Sequence, residues 1–133
     1  MAYIEPTVFI NALAADSPQR KACIAALDSI ARGNLEAVTA SLSWDEVTHV
    51  VAKTDGFEPS IAAGKALLQI PRLRIAVVDR EIVTLAQELR AKYRLRPRDA
   101  IHAATAIREG EKDIIAYDLD YNKVRELKRK EPK

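Results

Sequence analysis

The sequence contains little cysteine, little glycine and no long apolar run, and each shortage excludes a class of protein. With Cys23 as the single cysteine, no disulfide can form within the chain, so we expect a reducing, cytoplasmic environment. No apolar stretch approaches the roughly 18 residues of a membrane-spanning helix. Glu5 and Pro6 interrupt the only early apolar segment, which argues against a signal peptide. The four glycines form no phosphate-cradling loop, and no serine lies in a nucleophile-elbow motif.

The residues that are present describe one ordinary globular domain. Of the 133 residues, 48% are apolar and 30% are charged, a composition that can bury one sizeable core. The net charge of +2 is small, but basic residues cluster at 92–98 and in the segment 123–133. Such clusters can contact phosphates, although most charge runs are solvated surface. Charge alone therefore favours a nucleic-acid partner only weakly.

Strand patterns alternate with helix patterns along the whole chain. Apolar and β-branched runs predict strands at 2–10, 36–41, 73–79 and 113–118. Helical spacing predicts helices at 18–32, 43–54, 58–70, 80–93 and from Arg98 onwards, whereas 121–130 fits either a short helix or an edge strand. Because parallel strands need helical crossovers, this alternation predicts a single α/β domain over residues 1–133, with a parallel sheet covered on both faces.

Local signals refine two of the helices. Ser43 is available as an N-cap with Glu46 as its capping-box partner, and Pro97 suits the first turn of the helix that carries Asp99. Four small residues follow on that last helix, namely Ala100, Ala103, Ala104 and Ala106. Their size lets the helix approach the sheet closely, which would bring Asp99 to the carboxyl end of the strands.

Acidic residues fall where the carboxyl ends of the strands are expected. They come from distant parts of the sequence: Glu5, Glu46, Asp99, Asp118 and Asp120. Each has an ordinary explanation alone, because acids are favoured in first helical turns and in turns that follow strands. Together they would repel one another, and a divalent cation with oxygen ligands relieves that repulsion. An acidic cluster beside arginines is the layout expected for metal-assisted cleavage of a phosphodiester.

Four segments resemble one known family nearly end to end. They are YIEPTVFI with the first acid, TASLSWDEV with the second, RPRDAIHAATA with the third and IIAYDLDY with the last. The set resembles the PIN-domain nucleases and, within them, the VapC-type ribonuclease toxins of prokaryotic toxin–antitoxin pairs. The third segment is highly specific, whereas YDLDY alone would be weak. The resemblance implies a three-layer α/β/α domain with a parallel sheet of four to five strands.

The same resemblance implies a reaction and the residues that perform it. The reaction is hydrolysis of an RNA phosphodiester by a metal-activated water, with Mg²⁺ or Mn²⁺ as the cofactor. The implied catalytic residues are Glu5, Glu46, Asp99 and Asp118, and the implied metal ligands are Glu5, Asp99, Asp118 and the accessory Asp120. We expect Arg94, Arg96 and Arg98 to neutralise RNA phosphates. The implied protein partners are a second copy of the chain in a homodimer and a small antitoxin.

Three positions depart from the family pattern. Glu5 stands where the family usually has Asp, Thr7 where Asn is common, and Ala116 where Ser or Thr is usual. The extra methylene of Glu5 moves its carboxylate by roughly 1 Å, and a misplacement of that size can cost about 100-fold in rate. The departures therefore keep an alternative open, in which a catalytically weakened or inactive PIN domain acts as an RNA-binding or protein-interaction module.

An alternative metal site, in place of the acidic one, is suggested by two carboxylate–histidine pairs at helical spacing. Glu46 precedes His49 by three residues, and Asp99 precedes His102 by three, as in di-iron helical bundles. Such bundles also need acids from two further helices and contain little sheet, whereas about four strands are predicted here. We therefore expect His49 and His102 to be packing or surface residues.

Overall fold

Five short parallel strands form the centre of the molecule in a computed structural model that describes residues 1–133. The strands are β1 (Ala2–Ile4), β2 (Ala37–Ala40), β3 (Leu73–Ala76), β4 (Asp113–Ile115) and β5 (Lys128–Lys130). They lie in the order β3-β2-β1-β4-β5. Tyr3 of β1 is in register with Val38 on one side and with Ile114 on the other. The chain order thus reverses beside β1, where the carboxyl ends of β1, β2 and β4 meet.

Six helices cover the two faces of this sheet. They are α1 (Pro6–Leu13), α2 (Arg20–Ala31), α3 (Leu42–Asp55), α4 (Phe57–Leu68), α5 (Arg80–Tyr93) and α6 (Pro97–Arg108), and a 3₁₀ turn follows at Leu119–Lys123. The core under α1 to α4 contains Ile4, and the core under α5 and α6 contains Tyr3, because successive strand residues point to opposite faces. The predicted three-layer α/β/α architecture is confirmed, with five strands. No helix combines the length and apolarity that a bilayer crossing requires.

The first strand is shorter than predicted. The sequence pattern extends a strand over 2–10, but β1 ends at Ile4 and helix α1 begins at Pro6. Proline is favoured at the first helical position because its missing N–H has no partner there in any case. Glu5 is the N-cap, and its carboxylate accepts a hydrogen bond from the Thr7 N–H. The apolar residues after Pro6 therefore form a buried helix face rather than a strand.

The predicted capping box of α3 is also wrong. The helix begins at Leu42, one residue before the expected N-cap. Ser43 therefore lies inside the helix, where its hydroxyl is hydrogen-bonded to the hydroxyl of Thr39. Glu46 does not reach back to the helix start but bonds to His102 instead. Near the carboxyl end of the chain, 121–130 contains part of a 3₁₀ turn as well as edge strand β5, so each of the two alternatives is partly realised.

Helix α6 lies close to the sheet, as its alanines predict. Ala100, Ala103, Ala104 and Ala106 are all fully buried, and Pro97 occupies the first turn. Asp99 is in that same turn. Because the short alanine side chains let α6 lie close to the sheet, this turn is near the ends of the strands. In open parallel sheets the edge at which the strand order reverses is the usual location of a binding site.

Candidate metal centre

The acidic residues lie in two neighbouring groups rather than in one. The inner group consists of Glu5, Glu46 and His102, and the outer group consists of Asp99, Asp118 and Asp120. Within each group, one ligand atom per residue lies within 4.8 Å of those of the others. Glu5 follows β1, Glu46 lies in the helix after β2, Asp99 is in the first turn of α6, and Asp118 follows β4. Asp120 lies two positions after Asp118.

Glu5 is the most deeply buried of these acids. Only 5% of the residue is exposed, and its carboxylate accepts hydrogen bonds from the N–H and the hydroxyl of Thr7. Burial raises the pKa of the Glu5 carboxyl, and the Thr7 hydroxyl opposes that rise in part. Two of the departures from the family pattern, Glu5 and Thr7, thus bond to each other.

Glu46 and His102 connect the two helical layers. Glu46 lies on α3 and His102 on α6, and the distance from Glu46 Oε1 to His102 Nε2 is 2.8 Å. The other ring nitrogen, Nδ1, bonds to the hydroxyl of Tyr3 on β1. His102 is fully buried, as expected of a packing residue. Its contact with the site acid Glu46 was not predicted from the sequence.

The outer group surrounds an arginine side chain. The guanidinium of Arg96 lies 3.1 Å from Asp99 Oδ2, 2.5 Å from Asp118 Oδ2 and 3.9 Å from Asp120 Oδ2. Asp118 also caps the 3₁₀ turn by accepting the N–H of Asp120. Burial raises the pKa of Asp99, Arg96 opposes that rise, and the negative charge of Asp118 adds to it. Arg96 therefore supplies positive charge to carboxylates that would otherwise repel one another.

Tyr121 joins the two groups, and sequence reasoning missed it. Its buried hydroxyl donates to Asp99 Oδ1 at 3.4 Å. Burial raises the pKa of this phenol, and the negative charges of Glu5, Asp99 and Glu46 add to the rise. The phenol thus bonds to an acid of the outer group, and the negative charges of the inner group act on it as well. The only signal in the sequence was the second tyrosine of YDLDY.

The three arginines expected to contact RNA differ in their surroundings. Arg96 is engaged by the outer group, whereas Arg94 and Arg98 are exposed and have no ion-pair partner. Arg94 is the left-handed C-cap residue of α5, and Arg98 follows Pro97 in the first turn of α6. All three flank the acids in sequence, and two of them leave their guanidinium groups available to solvent.

The di-iron arrangement is not assembled. His49 is exposed and belongs to neither group, while Asp99 and His102 belong to different groups. Both nitrogens of His102 are already hydrogen-bonded within the protein. The donor set that remains consists of carboxylate oxygens, and these suit hard divalent cations such as Mg²⁺ and Mn²⁺. The residues present therefore fit such a cation.

Comparison with known families agrees with this architecture. The family model described as the PIN domain matches residues 2–127, nearly the whole chain. A comparison with curated protein sequences gives no match.

Several solved structures share the fold at low sequence identity. VapC20 of Mycobacterium tuberculosis, described as a sarcin–ricin loop cleaving toxin, is 14% identical over 92% of this chain and 93% of its own, with a TM-score of 0.75. VapBC2 of Rickettsia felis, solved with a promoter DNA fragment, is 18% identical over the full length of both chains, with a TM-score of 0.77. A toxin–antitoxin complex of Klebsiella pneumoniae is 18% identical over 96% of both chains, with a TM-score of 0.72. At these identities the likeness establishes the fold.

Proposed function

We propose that this chain, which belongs to the PIN-domain family, is a divalent-metal-dependent endoribonuclease that serves as the toxin of a toxin–antitoxin pair. The observation that carries the proposal is the convergence of acids from four separate segments into two groups at the carboxyl edge of the sheet. Capping accounts for Glu5 and Asp118 singly, but it does not account for so many carboxylates at one strand edge, because clustered carboxylates repel. The toxins among the structural neighbours support the finer assignment.

Some of the acids would bind the metal, and one would accept a proton. Glu5, Asp99 and Asp118 would hold Mg²⁺ or Mn²⁺, with Asp120 as an accessory ligand. When bound, such a cation activates water and stabilises the charge that develops on a phosphate. Glu46 uses Oε1 to accept the His102 N–H, which leaves Oε2 as its free oxygen. That oxygen is the candidate proton acceptor for the attacking water, a role worth about 10²–10⁴-fold in rate.

The basic residues beside the acids supply a path for the RNA backbone. Arg94 and Arg98 are exposed on either side of Arg96, and exposed guanidinium groups bind phosphates without reading the base sequence. Lys123 lies 3.2 Å from Asp120 and adds positive charge at the same rim. We therefore expect affinity for RNA to fall steeply as the salt concentration rises.

The experiment that tests this function is cleavage of a structured RNA titrated with MnCl₂ and MgCl₂. We expect cleavage to need the metal, to stop with chelator and to return with excess metal. Asp99→Asn should abolish it without loss of fold, because one ligand charge is removed. Asp45→Asn is the matched control, since Asp45 also lies in a first helical turn, of α3, but is exposed and outside both groups. Binding of RNA without cleavage would favour the alternative, a non-catalytic RNA-binding module.

Two protein partners belong to the same proposal. Large apolar side chains of α3 and α4 are exposed, namely Trp44, Phe57, Ile61 and Leu68, and exposed apolar patches commonly mark protein interfaces. We expect a homodimer, measured by light scattering of the purified chain. A small open reading frame immediately upstream would be the antitoxin candidate, and its product should co-purify with the chain and inhibit RNA cleavage. A monomer without such a neighbour would contradict this part of the proposal.

A further inference from the structure

A buried chain of hydrogen bonds leads from the backbone of β2 to the carboxylate of Glu46. The N–H of Ala40 donates to the hydroxyl oxygen of Tyr3 at 3.1 Å. That hydroxyl bonds to Nδ1 of His102, and Nε2 of the same ring lies 2.8 Å from Glu46 Oε1. Tyr3, Ala40 and His102 are fully buried, so water does not compete for these bonds.

The direction of each bond follows from counting protons. The Tyr3 oxygen already accepts the Ala40 N–H, and the nearby hydroxyls of Thr39 and Ser43 bond to each other, so we assign the Tyr3 proton to Nδ1 of His102. A nitrogen that accepts carries no proton, and the neutral ring then has its N–H at Nε2. Glu46 can only accept at Oε1. Tyr3 and Glu46 thus favour the same tautomer of His102, with the proton on Nε2.

The geometry points to His102 as a positioning residue: Tyr3 donates to its Nδ1, and its Nε2–H holds Oε1 of Glu46, so that Oε2 alone is available to the attacking water. This inference rests on the proposed function, because it assigns His102 a part in that same site. Hydrogen bonds that orient metal-site residues typically affect metal affinity or activity by about 10–100-fold. His102 itself is no ligand, because both of its ring nitrogens are engaged.

Any buried histidine needs partners for its ring nitrogens, so the identity of the partners carries the inference. The partner of Nε2 is a site acid on α3, and the partner of Nδ1 is a tyrosine hydroxyl on β1. The ring thereby ties Glu46, on one face of the sheet, to α6 on the other. Among the site acids, Glu46 is the one whose hydrogen bond comes from a buried side chain on the opposite helical layer.

The tautomer can be read directly in the unaltered protein. In a ¹H–¹⁵N spectrum of uniformly labelled protein, the ring nitrogens of His102 should show a protonated Nε2 and an unprotonated Nδ1. Tyr3→Phe keeps the buried ring but removes the hydroxyl, so the ¹⁵N shift of Nδ1 should change with the loss of its donor while Nε2 stays protonated toward Glu46. Protonation at Nδ1 in the unaltered protein would overturn the inference without any variant having to fold.

Two variants separate the two nitrogens. The amide nitrogen of His102→Gln reaches the position of Nε2 and can still donate to Glu46, whereas His102→Asn reaches only the position of Nδ1. We expect His102→Asn to lower single-turnover RNA cleavage at saturating Mn²⁺ by about 10–100-fold and His102→Gln to retain most of the activity, with Mn²⁺ affinity nearly unchanged in both because Glu46 is no metal ligand. Single-turnover assays measure the cleavage, calorimetry measures the affinity, and melting curves in chelator establish that both variants are folded.

The outcomes distinguish the inference from the function on which it rests. Normal Mn²⁺ binding and RNA cleavage by the unaltered protein, with equal losses in His102→Asn and His102→Gln, would show a packing role and overturn the inference alone. Unchanged cleavage by both variants would do the same. Absence of Mn²⁺ binding in the unaltered protein would overturn both claims. Selective loss in His102→Asn, with partial rescue in His102→Gln, supports the positioning role.

Discussion

The inner and outer acid groups keep their carboxylates together by different means. In the inner group, hydrogen bonds from the protein do so: Thr7 bonds to Glu5, and His102 bonds to Glu46. In the outer group the charge of Arg96 balances Asp99 and Asp118, and 69% of that arginine side chain is exposed. Buried neutral bonds fix geometry, whereas an exposed cation can leave when another cation arrives. The inner group is therefore the rigid half of the site, and the outer group is the exchangeable half, in which a metal cation can replace the arginine.

The largest effect should come from removing one charge in each group in turn. Glu46→Gln should lower RNA cleavage by at least about 100-fold, because a proton acceptor in the rigid half is lost. Asp120→Asn should cost less than about 10-fold, because Asp120 is the accessory, most exposed member of the outer group. Single-turnover cleavage at saturating Mn²⁺ gives both numbers. Equal losses in the two variants would contradict the division into rigid and exchangeable halves.

A smaller effect is expected when the exchangeable cation is removed. Arg96→Gln should bind Mn²⁺ more tightly than the unaltered protein, by no more than about 10-fold because the ion pairs are solvent-screened. Metal no longer has to displace a guanidinium from Asp99 and Asp118 in that variant. Arg98→Gln is the matched control, since Arg98 is an exposed neighbour without an ion pair. Calorimetric titration of all three proteins measures the affinities.

The result that would contradict this interpretation is weaker Mn²⁺ binding in Arg96→Gln. In that case Arg96 would position the acids for the metal rather than compete with it. Cleavage assays would then separate this role from RNA binding, because loss of a phosphate contact raises KM and reduces the dependence of KM on salt.

The smallest expected effect is a change in the pH dependence of stability. Burial raises the pKa of Glu5 in the folded state, so the folded chain binds this proton more tightly than the unfolded chain. The stability contributed by the protonated carboxyl is complete below the unfolded pKa and is lost as pH rises through the folded pKa. In chelator, Glu5→Gln should therefore gain in Tm relative to the unaltered protein as pH rises above the ordinary glutamate range.

The metal should reverse that difference. With Mn²⁺ at pH 7.5 the unaltered protein gains stability from binding, and Glu5→Gln, which lacks the ligand charge, should gain less. Glu58→Gln is the control, because Glu58 is an exposed acid in the first turn of α4. A Tm difference that is independent of both pH and metal would show that Glu5 acts only as the cap of α1.

The layered architecture could be read from the sequence because its signals are local and periodic. Alternation of strand and helix patterns predicted the parallel sheet, the bounds of α5 at Arg80–Tyr93 are those expected, and the alanines of α6 are buried as expected. The errors are local as well. The strand pattern extends over 2–10, although a helix begins at Pro6. Ser43 fits the sequence pattern of an N-cap, although its helix begins one residue earlier.

The detailed arrangement of the site depends on contacts that no local pattern contains. The strand-end rule indicates which acids lie near one another, but it does not divide them into two groups. That division depends on Tyr121, on Arg96 and on a hydrogen bond between Tyr3 and His102, which are 99 positions apart. The sequence spacing pairs His102 with Asp99. In the structure His102 bonds instead to Glu46, which lies 56 positions away.

The most direct test of a shared cation is an anomalous difference map from crystals grown with MnCl₂. We predict a peak between Glu5, Asp99 and Asp118, with Arg96 displaced from the carboxylates and the bond between His102 and Glu46 intact. A map without a peak at this edge of the sheet, with Arg96 still bonded to Asp99 and Asp118 at saturating Mn²⁺, would contradict the account.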